Sequence, residues 1–169
     1  MKPKRVSKNQ YYLGIAEEVA RRSTCFRRSL GAIIIRDDQI ISTGYVGAPR
    51  KTKDSLEHGS CLRDKLNIPH GQRYELCRSV HAEQNAIINA ARAGVSLLGG
   101  DMYIYGSVAG KFQPIDAFPC FICKKMIINA GLNRVICSTA DGKMNIFRVS
   151  DWVKDWKEGD IIDDSHQYG

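Results

Sequence analysis

His81-Ala82-Glu83 and, further along, Pro119-Cys120-Phe121-Ile122-Cys123 are the residues of this chain whose types and spacing can do chemistry. Cys120 and Cys123 are three positions apart, so on a helix they project from one face and can grip one metal ion together. The proline ahead of Cys120 is tolerated at a helix start, where exposed backbone N–H groups and the helix dipole favour a thiolate. His81 and Glu83 are two apart, and within a helix that spacing sends side chains to nearly opposite sides. They converge only where a helix begins, which places His81 at the very start of its helix and Glu83 in the first turn. Two helix N-termini facing one metal then offer one imidazole, two thiolates and a carboxylate that stays free. Three protein ligands leave one tetrahedral corner for water, the pattern of catalytic rather than structural zinc. Two thiolates balance the charge of the ion, so the water needs a base beside it, and Glu83 fits that role. The plainer alternative is a buried histidine, a capping glutamate and a redox CxxC pair. A thioredoxin-like CxxC belongs near the chain start and has no need of His-Ala-Glu upstream.

Elements that could hold these residues are legible on both sides of them. Ser7 caps a first helix running to about residue 22, with apolar residues from Tyr12 to Ala20 at helical spacing. The β-branched run 30–35, the turn Asp37-Asp38 and the run 39–43 read as a β-hairpin. Residues 45–80 mix Gly, Pro and charge with little apolar periodicity; loops that long are functional or are ordered by something other than a core. Residues 81–93 and 120–130 read as helices stopped by Gly94 and Gly131, each followed by a short strand, at 102–105 and 134–137. Helices alternating with buried strands argue for an α/β sandwich with the sheet in the middle. Residues 145–149 add a last strand and 152–156 a short helix. The acidic tail 151–169 reads as surface structure, and the whole of 1–169 as one domain.

Composition narrows the class. A chain of 169 residues buries roughly 68–70% of its unfolded surface, so it needs no disulfides, and its six cysteines are expected reduced in a cytoplasmic setting. The longest apolar run is far short of a membrane span, and Glu17 and Glu18 interrupt any secretory leader. Residues 1–80 carry 16 basic and 8 acidic side chains, residues 81–169 carry 9 and 10. The first half therefore faces anions. Arg27, Arg28, Arg50, Lys51 and Lys53 suit a phosphate-bearing small molecule or a nucleic-acid backbone, with a solvated basic face as the alternative.

Five stretches together carry a family resemblance: Cys61-Leu62-Arg63, Ile68-Pro69, Glu75-Leu76-Cys77-Arg78, the run from His81 through Asn85 to Ile87, and the run from Pro119 to Gly131. They resemble the deoxycytidylate (dCMP) deaminase family over residues 10–137, and H-x-E followed by P-C-x-x-C is the zinc-deaminase signature. The resemblance implies a three-layer α/β/α cytidine-deaminase-like fold with a central mixed sheet of about five strands. It implies zinc held by His81, Cys120 and Cys123, with Glu83 as proton shuttle. Water would attack C4 of cytosine while Glu83 protonates N3 and then the leaving amine, giving dUMP and ammonia. It further implies a homo-oligomer, hexamer or dimer, a small nucleotide ligand rather than nucleic acid or membrane, and control by dCTP and dTTP. Deamination of another nucleoside, nucleotide or RNA base, and a catalytically silent zinc or nucleotide-binding regulator, are the alternatives.

Three departures bear on substrate and metal. Where the family has Gly-Tyr-Asn-Gly, this chain reads Gly44-Tyr45-Val46-Gly47, and Val46 makes no side-chain hydrogen bond. Tyr45, Val46 and Gly47 are thus substrate-loop candidates of altered character, and the segment 106–118 beside the metal site is longer than the family pattern. Cys25, Cys61 and Cys77, with His58 nearby, form a candidate second, structural zinc site of the kind some members carry, although Ser55 stands at one expected cysteine position. Three unrelated reduced cysteines are the alternative. Gln84 and Asn85 read as capping or packing residues, Cys137 as a small core residue, and His70 and His166 as exposed.

Overall fold

The computed structural model describes residues 5–111 and 113–158, and the structural statements here concern those residues. Its axis is β1 (Arg28–Arg36), whose residues Ala32, Ile33, Ile34 and Ile35 are all buried. A strand apolar at consecutive positions is one covered on both faces. Ala32 and Ile34 face a cluster with Ala86, Met102, Ile104, Ile127 and Val135; Ile33 and Ile35 face the opposite way, onto Tyr12, Leu13 and Ala16. Further strands are β2 (Gln39–Tyr45), β3 (Asp101–Val108), β4 (Arg134–Ser138) and β5 (Met144–Arg148). They lie in the order β2-β1-β3-β4-β5, with β3 and β4 parallel and the other neighbours antiparallel. This is the expected mixed sheet of five strands.

One face carries α1 (Lys8–Ala20), and the other carries α3 (Ala82–Ala93) and α4 (Phe121–Asn129). Ser7 and Gln10 close a reciprocal cap on α1 (Gln10 N to Ser7 Oγ 3.3 Å, Ser7 N to Gln10 Oε1 3.1 Å). The helix ends at Ala20, short of residue 22, as the N–H groups of Arg22 and Ser23 shift to carbonyls three residues back. Asp37 and Asp38 both adopt positive φ, the type I′ geometry that matches the twist of a two-residue hairpin. The β3-α4-β4 unit is the crossover that the parallel pair requires.

Two glycines set how closely the helices lie on the sheet. A Cβ on Gly31 would stand 2.3 Å from the Ala16 carbonyl oxygen of α1, and one on Gly44 would stand 2.3 Å from the Ala86 nitrogen of α3. Helix α3 therefore rests directly on the β2 backbone, which fixes where its N-terminus opens.

The third strand runs longer than residues 102–105: β3 reaches Val108, and Pro114 bridges back to Ser107. The expected terminal helix is α5 (Val149–Glu158), longer than residues 152–156, and it buries Trp152 beside Phe147; residues 159–169, with His166, lie outside the described residues. Between β2 and α3 there is only the single turn α2 (Leu62–Lys65) and a 3-10 turn at Tyr74–Leu76.

Candidate metal centre and its cavity

His81 is the N-cap of α3 and Cys120 the N-cap of α4, so the two helices open towards each other. The His81 backbone N–H donates to Gln84 Oε1 at 3.1 Å, a cap bond that holds the helix start. Asn85 donates to the Tyr45 carbonyl oxygen at 2.8 Å and so ties α3 to the end of β2. Gln84 and Asn85 are structural, as their positions implied. Pro119 stands one residue ahead of the Cys120 cap rather than inside the helix, fully buried.

The Nδ1 of His81 lies 3.4 Å from Cys120 Sγ and 3.4 Å from Cys123 Sγ. Zn–S bonds of 2.3 Å and a Zn–N bond near 2.0–2.1 Å at a tetrahedral angle place N and S about 3.5 Å apart. The donor set therefore fits a zinc ion. Among the described residues this is the one group of three such side chains whose ligand atoms lie within 4.8 Å of one another.

Charge at the site follows from burial and mutual contact. The hydrogen bond from Cys123 brings the Cys120 thiol down to about 4, a thiolate at neutral pH. Cys123 is pushed up in return, by that same bond and by burial. Burial pulls the His81 imidazole down, but its bond to Cys120 and the charge of Glu83 overcome this and raise it. Glu83, in the first turn of α3, is buried, and that burial holds its carboxyl above the usual carboxylate range. Burial thus favours the protonated form, which suits a residue that carries protons.

A cavity opens beside this group, lined by Glu83, His81 and Cys120 and also by Val46, Phe118, Arg27, Arg28 and Arg63. Val46 lines it, whereas Tyr45 and Gly47 are outside the lining: the Tyr45 carbonyl accepts from Asn85, and Gly47 and Val80 exchange N–H···O bonds of 3.2 and 2.8 Å. Arg63 and Tyr74 are site features that the sequence did not single out; His70, exposed as expected, also borders the cavity. Tyr74 stands edge-on to His81, and the Arg63 guanidinium lies 4.8 Å over the Tyr74 ring. The Cys61-Leu62-Arg63 stretch contained the one available signal. Arg27 Nη1 and Arg63 Nε are buried without a hydrogen-bond partner, each costing roughly 1–3 kcal/mol or more if nothing binds there. Arg50 lies away from the cavity, against Asn89.

Cys25, His58, Cys61 and Cys77 do not gather in this way. Cys25 accepts from the Arg27 backbone N–H and Cys61 and Cys77 are near enough to influence its charge, but no three of these donors close within 4.8 Å. His58 is exposed in the turn that begins at Asp54. Cys137 is a fully buried core residue of β4.

The fold and this donor set define a zinc-binding α/β/α protein of the cytidine-deaminase-like kind. The chain belongs to the family described as the cytidine and deoxycytidylate deaminase zinc-binding region, whose model matches residues 6–139. It is 31% identical over 136 residues to a deoxycytidylate deaminase of Schizosaccharomyces pombe, covering 80% of this chain and 38% of that protein. A deoxycytidylate deaminase of Mycobacterium phage D29 is 31% identical over 133 residues, with 76% of this chain and 91% of the phage protein covered. The chain thus spans well under half the length of the yeast relatives and nearly all of the phage one. Among solved structures, the dCMP deaminase of cyanophage S-TIM5 in complex with dCMP and dUMP superposes with a TM-score of 0.55 at 26% identity. That match covers 79% of this chain and 82% of the other.

Proposed function

We propose that this chain is a zinc-dependent hydrolytic deaminase that converts dCMP to dUMP and ammonia in the cytoplasm. The observation that carries the reading is Glu83: a buried carboxylate in the first turn of α3, beside a His81-Cys120-Cys123 set that already satisfies three metal positions. A structural metal site has no need of such a residue, since closed sites fill all four positions with ligands. Zinc in this set supplies the Lewis acidity that makes water acidic near neutral pH. Glu83 accepts a proton from the attacking water and delivers it to N3 of the cytosine ring. It then carries a second proton to the departing 4-amino group, so that the C4–N bond breaks and a C4 carbonyl remains. The raised proton affinity that burial gives Glu83 suits both halves of this transfer.

Relatives named deoxycytidylate deaminase and the solved neighbour holding dCMP and dUMP support the choice of nucleotide. No described helix is long and apolar enough to cross a membrane. Exposed Ile88 on α3 and Ile122 on α4 support self-association through the helical face. Control by dCTP and dTTP enters this reading through the family resemblance. Ammonia release measured over cytosine, adenine and guanine nucleotides at each phosphorylation level tests the substrate. The expected result is release from dCMP; release confined to a purine or to RNA overturns it.

A further inference from the structure

We propose that Trp152 of α5 is a positioning residue of the catalytic site: through Phe147 it holds Phe118 in the cavity wall beside Glu83 and so sets how well the substrate's ring is bound. This rests on the deaminase reading and adds to it a helix that lies beyond residues 6–139, the part of the chain that the family model matches. Trp152 is 7% exposed. Its indole packs on the Phe147 ring of β5, with centroids 5.8 Å apart and planes at 38°. Phe147 stands edge-on to Phe118 at 5.5 Å and 83°. Phe118 in turn lines the cavity together with Glu83, His81 and Cys120. Three rings in contact thus lead from α5 to the wall against which a substrate sits, two residues ahead of the metal donor Cys120.

Phe118 needs such a support. It precedes α4 on residues 115–120, which have no regular structure, so what packs on its ring sets its orientation. Tyr74, the other phenyl-type ring of the lining, is already taken up by His81 and Arg63, which leaves Phe118 as the ring offered to a flat base. The support is itself braced, because α5 also grips α4. The Lys124 ammonium lies 5.1 Å over the Trp152 ring, Phe121 meets Trp156 with centroids 5.1 Å apart, and Lys125 Nζ lies 5.1 Å from the Phe121 ring. Positions 121, 124 and 125 share one stripe of α4, and Cys120, Cys123 and Ile127 form the neighbouring stripe towards the metal centre and core. Turning α4 or tilting Trp152 therefore has to break ring and cation contacts together.

The test is steady-state kinetics of the zinc-loaded full chain with dCMP, joined to calorimetric binding of dUMP, which does not turn over. Trp152→Leu should raise KM about 3- to 10-fold and weaken dUMP by the same factor, with kcat within about 2-fold and zinc content unchanged. Trp152→Phe keeps a ring against Phe147 and should restore most of the affinity. Phe118→Leu should weaken dUMP to a similar extent. Adding Trp152→Leu to it should cost nothing more, because the two residues act through one set of contacts. A helix that only stabilised the fold would lower Tm, leave KM alone and give additive effects. Should Trp152→Leu fail to fold, Trp156→Phe leaves Trp152 as the single tryptophan, whose emission should shift at saturating dUMP and lose that shift when Phe118→Leu is added. An unmoved KM or a fall in kcat alone in folded Trp152→Leu, additivity in the double variant, or Trp152 emission that ignores bound dUMP would overturn the proposal. Turnover of dCMP with KM unmoved in Trp152→Leu removes the positioning role and leaves deamination standing. A Trp152 response to dUMP without ammonia from dCMP keeps the role and removes deamination.

Discussion

The ring of Tyr74 stands edge-on to the imidazole of His81, with centroids 4.9 Å apart and planes at 85°. Through it the segment between β2 and α3 reaches the metal centre, because Arg63 lies on the face of the same tyrosine. Aromatic pairs in this geometry add about 0.5–1.5 kcal/mol beyond the area they bury. Tyr74→Leu should therefore raise the zinc dissociation constant about 2- to 10-fold, measured by competition with a chromogenic chelator. An unchanged constant would show that Tyr74 does not steady His81.

The contact of α3 with β2 leaves no room for a side chain at position 44. In Gly44→Ala the new methyl would meet backbone atoms of Ala86 and Ala82 at 2.3 and 2.4 Å, and backbone does not yield as a flexible side chain does. Overpacking of this kind costs about 1–3 kcal/mol, which lowers Tm by several degrees in a domain of this size. Because the same shift moves His81, zinc affinity should fall with Tm. Calorimetric melting in the presence and absence of zinc measures both.

On the opposite face, pH acts through the hairpin turn. Tyr12 Oη donates to Asp38 Oδ1 at 2.7 Å, and Lys8 Nζ meets Asp38 Oδ2 at 2.7 Å. The bond to Asp38, with burial second, pushes the Tyr12 phenol up to about 12 from an ordinary 10. A group raised on folding stabilises fully below its unfolded pKa and loses that contribution as pH climbs through the folded value. The loss for Tyr12 thus falls between pH 10 and about 12. Asp38 is held below the usual carboxylate range by Lys8 and then Tyr12, so its contribution is present above its unfolded pKa and vanishes as acid protonates it. Asp38→Asn should bring Tyr12 back towards 10 in a phenolate absorbance titration and reduce acid sensitivity. A Tyr12 midpoint unmoved by that change would contradict the assignment.

What the sequence disclosed, and what it hid, divides along physical lines. His81 and Glu83 at a spacing of two can meet only at a helix start, and Cys120 and Cys123 share a face, so each half of the site was legible from spacing, while the joining of the trio now within 4.8 Å came from the zinc-deaminase signature. The strands of the sheet showed as β-branched runs, and the ends of α3 and α4 as glycines of positive φ at Gly94 and Gly131. Arg63 and Tyr74 were hidden because their order comes from guanidinium-carbonyl bonds and ring faces, which leave no periodic trace. That no three of Cys25, His58, Cys61 and Cys77 bring ligand atoms within 4.8 Å, although the three cysteines lie near one another, was hidden as well. Sequence spacing carries no distance once the chain between two residues has no regular structure.

The proposed chemistry requires Glu83 to move protons beside a metal it does not bind. Ammonia release from dCMP by the zinc-loaded chain, set against Glu83→Gln with zinc measured in the same samples, tests it most directly. One zinc per chain is expected in both proteins at this site, with a loss of turnover of roughly 100- to 10,000-fold in the variant. Turnover that persists in Glu83→Gln at full zinc occupancy would contradict it.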